Sequence, residues 1–157
     1  MQSGFERLIH GFCALTGYHA PQRVLTGEGI TYDGVILAVS WKPKANPAML
    51  FVYASLGQLD AEHQAELYPM MLKQNFMMLM TSTRNFSFSK SMDSVVLIED
   101  VSLADATPEA LLAVVKSLVR SAQYFNRMHC AGNAVPPIQI ARNRAALYPL
   151  SIEQVPS

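Results

Sequence analysis

"GITYDGVILAVSW", Gly29 to Trp41, is the stretch whose reading decides the fold. Asp33-Gly34 lies between two apolar runs, the short-range signature of a two-residue hairpin turn. Beyond the turn, Val35, Leu37, Val39 and Trp41 alternate with Ile36, Ala38 and Ser40, so each set lines one face of a strand. "KPKANP", Lys42 to Pro47, is a turn in which two prolines bracket polar residues. "AMLFVYASL" then reads as a third strand, apolar on both faces for much of its length. From Gly27 to Leu59 the pattern therefore has period two.

On either side the period is helical. In "SGFERLIHGFCALTG" the apolar residues Phe5, Leu8, Ile9, Phe12 and Leu15 fall on one helical face. Ser3 and Glu6 have the spacing of a capping box, and Gly17 is placed to end the helix in a left-handed conformation. A second helical segment follows Asp60, a good N-cap, and continues through "LYPMMLKQNFMMLM", Leu67 to Met80. Pro69 removes one backbone hydrogen bond there, which predicts a kink or a restart. After Pro69 the residues are apolar almost all round, and such a helix has to be covered on nearly every side.

"NFSFSKSMDSVVLIEDVSL" predicts two more strands, with Phe86 and Phe88 alternating with Ser87 and Ser89, a turn at "SMDS", and a return from Val95 to Ile98. The clearest helix is "TPEALLAVVKSLVRSAQYFNRMHCAG". Thr107 caps it, Pro108 takes the first helical position, and Glu109 meets the positive end of the dipole. Leu111, Leu112, Val115, Leu118, Val119, Ala122 and Phe125 trace its apolar stripe, and Gly132 stops it. Residues 133–157, with "VPPIQI" and Pro156, read as an extended tail after a domain spanning 1–132. The order helix, three strands, helix, two strands, helix predicts an α+β fold in which helices cover an antiparallel sheet.

Composition narrows the function. Of 157 residues, 50% are hydrophobic and 15% charged, against roughly 25% charged in an average domain. A monomer this poor in charge leaves apolar area in water, so the chain oligomerises or keeps an apolar surface for a partner. The net charge is zero and the pI near 6.9, with no basic run interleaved with aromatics, so nucleic-acid binding is not expected. No basic leader followed by a long apolar run opens the sequence, and no stretch is long and apolar enough to span a membrane. Cys13 and Cys130 are isolated, which suits a reducing cytosol and a cytoplasmic location.

Residues for chemistry do not assemble. His10, His19, His63 and His129 show no metal-ligand spacing, so neither metal nor cofactor is expected. His129 and Cys130 are adjacent on a helix and point about 100° apart, which does not make a catalytic pair. "TGEGIT" lacks a phosphate cradle, and Glu99-Asp100 reads as a solvated turn ending a strand. "NFS" at Asn85 matches a glycosylation sequon but has no consequence in a cytosolic protein. Without nucleophile, base and orienting group, no enzyme is predicted.

With these segments in place, the chain resembles the class I type III secretion chaperones, the Tir-chaperone-like family, over roughly Phe5 to Cys130. The resemblance rests on the short capped first helix, the hairpin "YDGVILAV", the second-helix landmark "MMLKQNF" and the last helix "TPEALLAVVKSLVRSAQYF", in that order. It implies a homodimer without enzymatic activity. Such a dimer holds the N-terminal segment of a secreted effector in extended form, keeps it soluble and export-competent, and presents it to an apparatus whose ATPase releases the chaperone in the cytosol. By matching segments, dimer contacts would come from Met70, Met71, Gln74, Asn75, Phe76, Met78, Phe86 and Phe88. Effector-binding candidates are Leu8, Phe12, Ile30, Tyr32, Val35, Leu37, Leu50 and Val52, since an extended peptide can add to a strand edge while its side chains enter pockets. Each strand has two faces, so core packing competes with binding for every one of these residues. A small α+β regulatory or scaffold domain that binds folded protein, with no secretion role, is the alternative.

Overall fold

The computed structural model describes residues 2–59, 61–78, 83–89 and 94–129. In chain order its elements are α1 (Gln2–Thr16), α2 (Pro21–Leu25), β1 (Ile30–Tyr32), β2 (Val35–Trp41), β3 (Met49–Gly57), α3 (Ala61–Met78), β4 (Arg84–Ser89), β5 (Ser94–Ser102) and α4 (Pro108–His129). Asp33 and Gly34 have φ of 46° and 78°, the two left-handed positions of a type I′ turn. That turn sets Tyr32 opposite Val35, and the register carries Leu37 opposite Ala54 and Val52 opposite Glu99. The result is one antiparallel five-stranded sheet in the order β1-β2-β3-β5-β4. The α+β architecture expected from the sequence is the one observed.

β3 is central, which explains why its sequence is apolar on both faces. Leu50, Val52, Ala54 and Leu56 point into the main core with Val35, Leu37 and Val39 from β2 and Val95 and Leu97 from β5. α1 and α4 close that core. Leu111, Val115, Leu118, Val119, Ala122 and Phe125 of α4 meet Phe5, Leu8, Ile9 and Phe12 of α1 and the sheet. At the start of α4, the Thr107 hydroxyl accepts the Ala110 N–H at 3.1 Å. α1 ends with Gly17 at φ 69° and the Tyr18 N–H donating to the Cys13 carbonyl at 3.0 Å, a Schellman cap. The other sheet face carries a second apolar group, Ile36, Ala38, Phe51, Tyr53, Val96 and Ile98, outside the main core.

Several local expectations change. α1 already includes Gln2, so Ser3 lies within the helix instead of capping it, and its carbonyl accepts Arg7 Nε at 3.2 Å. α2 was not expected. It is a five-residue helix with Pro21 in its first turn and no side-chain cap, held by burial of Val24. α3 continues through Pro69 as one helix without the restart, because tertiary contact of Leu67 and Met71 outweighs one lost backbone bond. Glu99 and Asp100 are not a solvated turn, since β5 continues to Ser102. Glu99 Oε2 accepts Arg84 Nε at 2.7 Å, and the same guanidinium donates to Ser117 Oγ at 2.7 Å, tying β4 and β5 to α4. Asp60, the "SMDS" turn as far as Asp93, Cys130, Gly132 and the tail lie outside the described residues.

α1 crosses α4 closely at Gly11. A Cβ built there would lie 2.5 Å from Pro108 Cγ, inside a stiff ring. Gly11→Ala gains up to about 1 kcal/mol of helix propensity but should cost about 1–3 kcal/mol of overpacking. A lower urea midpoint for this variant is the expected result; a higher one would show that the two helices separate freely.

Candidate functional site

α3 leans on the β4 edge of the sheet and uses only part of its circumference there. Gln64, Leu67, Tyr68, Met71, Asn75 and Met78 recur at spacings of three and four and make the inward arc, with Leu67 and Met71 fully buried. At about 100° per residue, Pro69, Met70, Leu72, Phe76 and Met77 occupy the opposite arc, with Lys73 among them. Phe76 is 74% exposed, Leu72 69% and Met77 63%. Phe88, on the outermost strand, adds a half-exposed ring that meets Tyr68 edge-on at 6.5 Å. The low charge of the sequence is thus matched by a contiguous apolar strip on α3 and β4.

Asn75 explains the polar residue inside this apolar helix. Its Nδ2 donates to the Phe86 carbonyl at 2.8 Å, and its Oδ1 accepts the Phe86 N–H at 2.7 Å. The amide thus satisfies both backbone groups that Phe86 turns away from β5, as a neighbouring strand would. Phe86 itself packs on Phe125 of α4, with ring centroids 6.0 Å apart. The pair of hydrogen bonds sets the rotation of α3 about its own axis.

The predicted dimer residues therefore divide. Met70, Gln74, Phe76 and Phe88 are exposed, Met78 and Phe86 are partly buried, Met71 is in the core, and Asn75 holds the helix to the sheet. Leu72 and Met77 were missed, although the apolar character all round the helix pointed to them. Of the effector candidates, Leu8, Phe12, Ile30, Val35, Leu37, Leu50 and Val52 are buried within this protomer, and Tyr32 is partly exposed. β1 forms the far edge of the sheet, its outer side paired with no described strand. Leu15, exposed at the end of α1, was read as part of the inner face.

A cleft of about 400 Å³ opens beside the apolar strip, between Gln58, Leu59, Gln64, Tyr68, Phe88 and the start of β5. Its polar groups are two amides and hydroxyls, including the buried Ser94 Oγ, which has no hydrogen-bond partner among the described residues. The Cys13 thiol is buried, which pushes its pKa up and away from nucleophilic reactivity. Among the described residues no group of histidine, cysteine and acidic side chains is arranged to hold a metal ion. No described helix is long and apolar enough to cross a membrane.

The fold is an α+β domain with an exposed apolar strip along α3 and β4. The chain belongs to the Tir chaperone protein (CesT) family, whose model matches residues 38–126, more than half of the sequence. That family is one of chaperones and not of enzymes. Among solved structures, a chain of the ExsC-ExsE complex aligns with TM-score 0.67 at 18% identity, covering 81% of this chain and 94% of that one. The Yersinia pestis type III secretion chaperone SycH, in complex with a stable fragment of YscM2, aligns with TM-score 0.58 at 20% identity, over 77% and 98%. The HopA1-SchA chaperone-effector complex aligns with TM-score 0.62 at 10% identity, over 80% and 95%. These likenesses establish the shared fold. A comparison with curated proteins finds no match.

Asn75→Ala should destabilise the protein by about 1–3 kcal/mol, because it leaves the Phe86 N–H and carbonyl without their partner. Chemical denaturation measures the loss, and an unchanged midpoint would mean that water replaces the amide at no cost.

Proposed function

We propose that this chain is a type III secretion chaperone that acts as a homodimer on the N-terminal segment of an effector. The observation that carries the reading is the exposed arc of α3. Leu72, Phe76 and Met77 stand in water on a helix whose opposite side is already anchored to its own sheet. A stable protein interface buries roughly 1,200–2,000 Å² in total, and an arc repeated on a two-fold partner, with Met70 and Phe88 beside it, supplies apolar area of that kind. Gln74 stands at its polar rim, and Lys73 lies within the arc, its charged end free to reach the solvent at the edge.

The client is held elsewhere, along the free edge of β1 and the neighbouring end of α1. An extended effector segment adds to that edge through main-chain hydrogen bonds, with Tyr32 and Leu15 offering exposed apolar contact. The buried candidates, Leu8, Phe12, Ile30, Val35, Leu37, Leu50 and Val52, shape the floor from within. Main-chain pairing keeps the client unfolded and covers its apolar side chains, which accounts for solubility and export competence together. Delivery to the secretion ATPase and release in the cytosol complete the proposed cycle.

Leu72→Asp with Phe76→Asp should halve the mass seen by light scattering while leaving the far-UV spectrum unchanged, since both residues lie outside the protomer core. Met71→Asp, by contrast, should unfold the chain by placing a charge in that core. A double variant that stays dimeric refutes the assignment of the interface. For the client, co-expression with effectors encoded beside the chaperone gene, followed by limited proteolysis, should protect their N-terminal segments. Cleavage at the same rate with and without the chaperone would remove the secretion reading and favour a scaffold domain.

A further inference from the structure

The solvent side of α4 carries a pattern that neither the core nor the proposed dimer and client surfaces use. Lys116, Arg120 and Arg127 are all exposed there. At about 100° per residue they fall within about 40° of one another, and at about 1.5 Å per residue they span about 16 Å. Tyr124 and Met128 run along the flank of this line, one turn apart, 62% and 59% exposed. The same flank bears Ser117 and Ser121, whose hydroxyls accept the Arg84 guanidinium of β4. A ring and a thioether in water thus lie beside a row of three cations.

The row finds no acid inside the protomer. From Ala110 to His129 α4 holds no acidic residue, and Glu109 lies two turns before Lys116. Other cations are paired by the fold, Arg84 with Glu99 and Arg23 with Glu28, each at 2.7 Å. Lys116, Arg120 and Arg127 form no ion pair among the described residues. Asp33 is included in that statement, although Gln123 of α4 holds its carbonyl at 2.9 Å. Single exposed apolar side chains are ordinary, but tyrosine and methionine beside arginine are the residue types enriched where proteins meet.

We propose that this face of α4 docks an acidic amphipathic segment of a second protein. Its carboxylates meet Lys116, Arg120 and Arg127, the arginines through paired N–H donors, while its apolar residues cover Tyr124 and Met128. Exposed ion pairs add little affinity each, so the ring and thioether provide the contact and the charges select the partner and set its register. Nucleic acid fits less well, because three cations on a chain of zero net charge make a small field for a polyanion. The face lies on a different element from the α3 strip and the β1 edge. The proposal therefore stands whether or not the chain serves secretion.

The test uses the full chain and a fluorescein-labelled, helix-forming peptide of about 18 residues, with glutamates along one face and leucines beside them. Fluorescence anisotropy should show binding that weakens as salt is raised. Arg120→Glu with Arg127→Glu should weaken it about tenfold or more, and so should Tyr124→Ser with Met128→Ser. All four residues are exposed, so the far-UV spectrum should not change. Leu72→Asp with Phe76→Asp, on α3, should leave the affinity for the peptide as it was. Absence of binding, binding untouched by the charge reversal, or loss of binding in the α3 variant would overturn the proposal. Equal affinity for a peptide with lysine in place of glutamate, for a single-stranded RNA or for phosphatidylglycerol vesicles would overturn it as well.

Discussion

Two hydrogen bonds from one side chain govern what this protein presents to its surroundings. Asn75 grips both backbone groups of Phe86, and because those groups face outward from the sheet edge, α3 is locked against β4 in a single rotation. A helix apolar nearly all round has little preference of its own about which side to bury. The amide removes that ambiguity, since a buried amide has to find both a donor and an acceptor. Everything on the opposite arc is thereby committed to solvent or to another polypeptide.

The sheet poses the complementary problem. Strands have two edges, and an unpaired edge is a template for another chain. At β4 the edge is occupied, at Phe86, by an asparagine from the following layer. At β1 no described strand pairs with the outer side, and the strand is only three residues long, which limits indiscriminate pairing. The two edges thus differ among the described residues, one closed by the helix that carries the apolar strip and the other unpaired. The Arg84 cluster, with Glu99 and Ser117, keeps β4, β5 and α4 moving as one body between them.

Much of the framework was legible from local chemistry. Asp33-Gly34 named its turn because few other pairs tolerate left-handed backbone at both positions, and Thr107-Pro108 named the start of α4 because each residue satisfies a constraint of the first turn. Short or weakly patterned pieces were not legible. α2 has no side-chain cap and owes its existence to Val24 reaching the core, and Pro69 failed to break α3 because packing on both sides holds the helix together. Glu99 looked like a solvated turn because its partner, Arg84, lies on another strand, and pairing across a sheet leaves no mark in the residues beside it.

By itself the sequence determined the order of the elements other than α2, the α+β class and the excess of apolar residues, and its segments carried the resemblance to the family. The elements follow from periodicity, capping and turn chemistry within a few residues of one another, and the apolar excess from composition. Which apolar residues form the core and which face outward was decided only by the tertiary structure. Alternation states that Val52 and Tyr53 point to opposite faces, and helical spacing states that Met71 and Phe76 do not share one. Neither says which side the remaining layers will cover. That depends on where distant elements dock, through contacts such as Asn75 to Phe86 that join residues far apart in the chain.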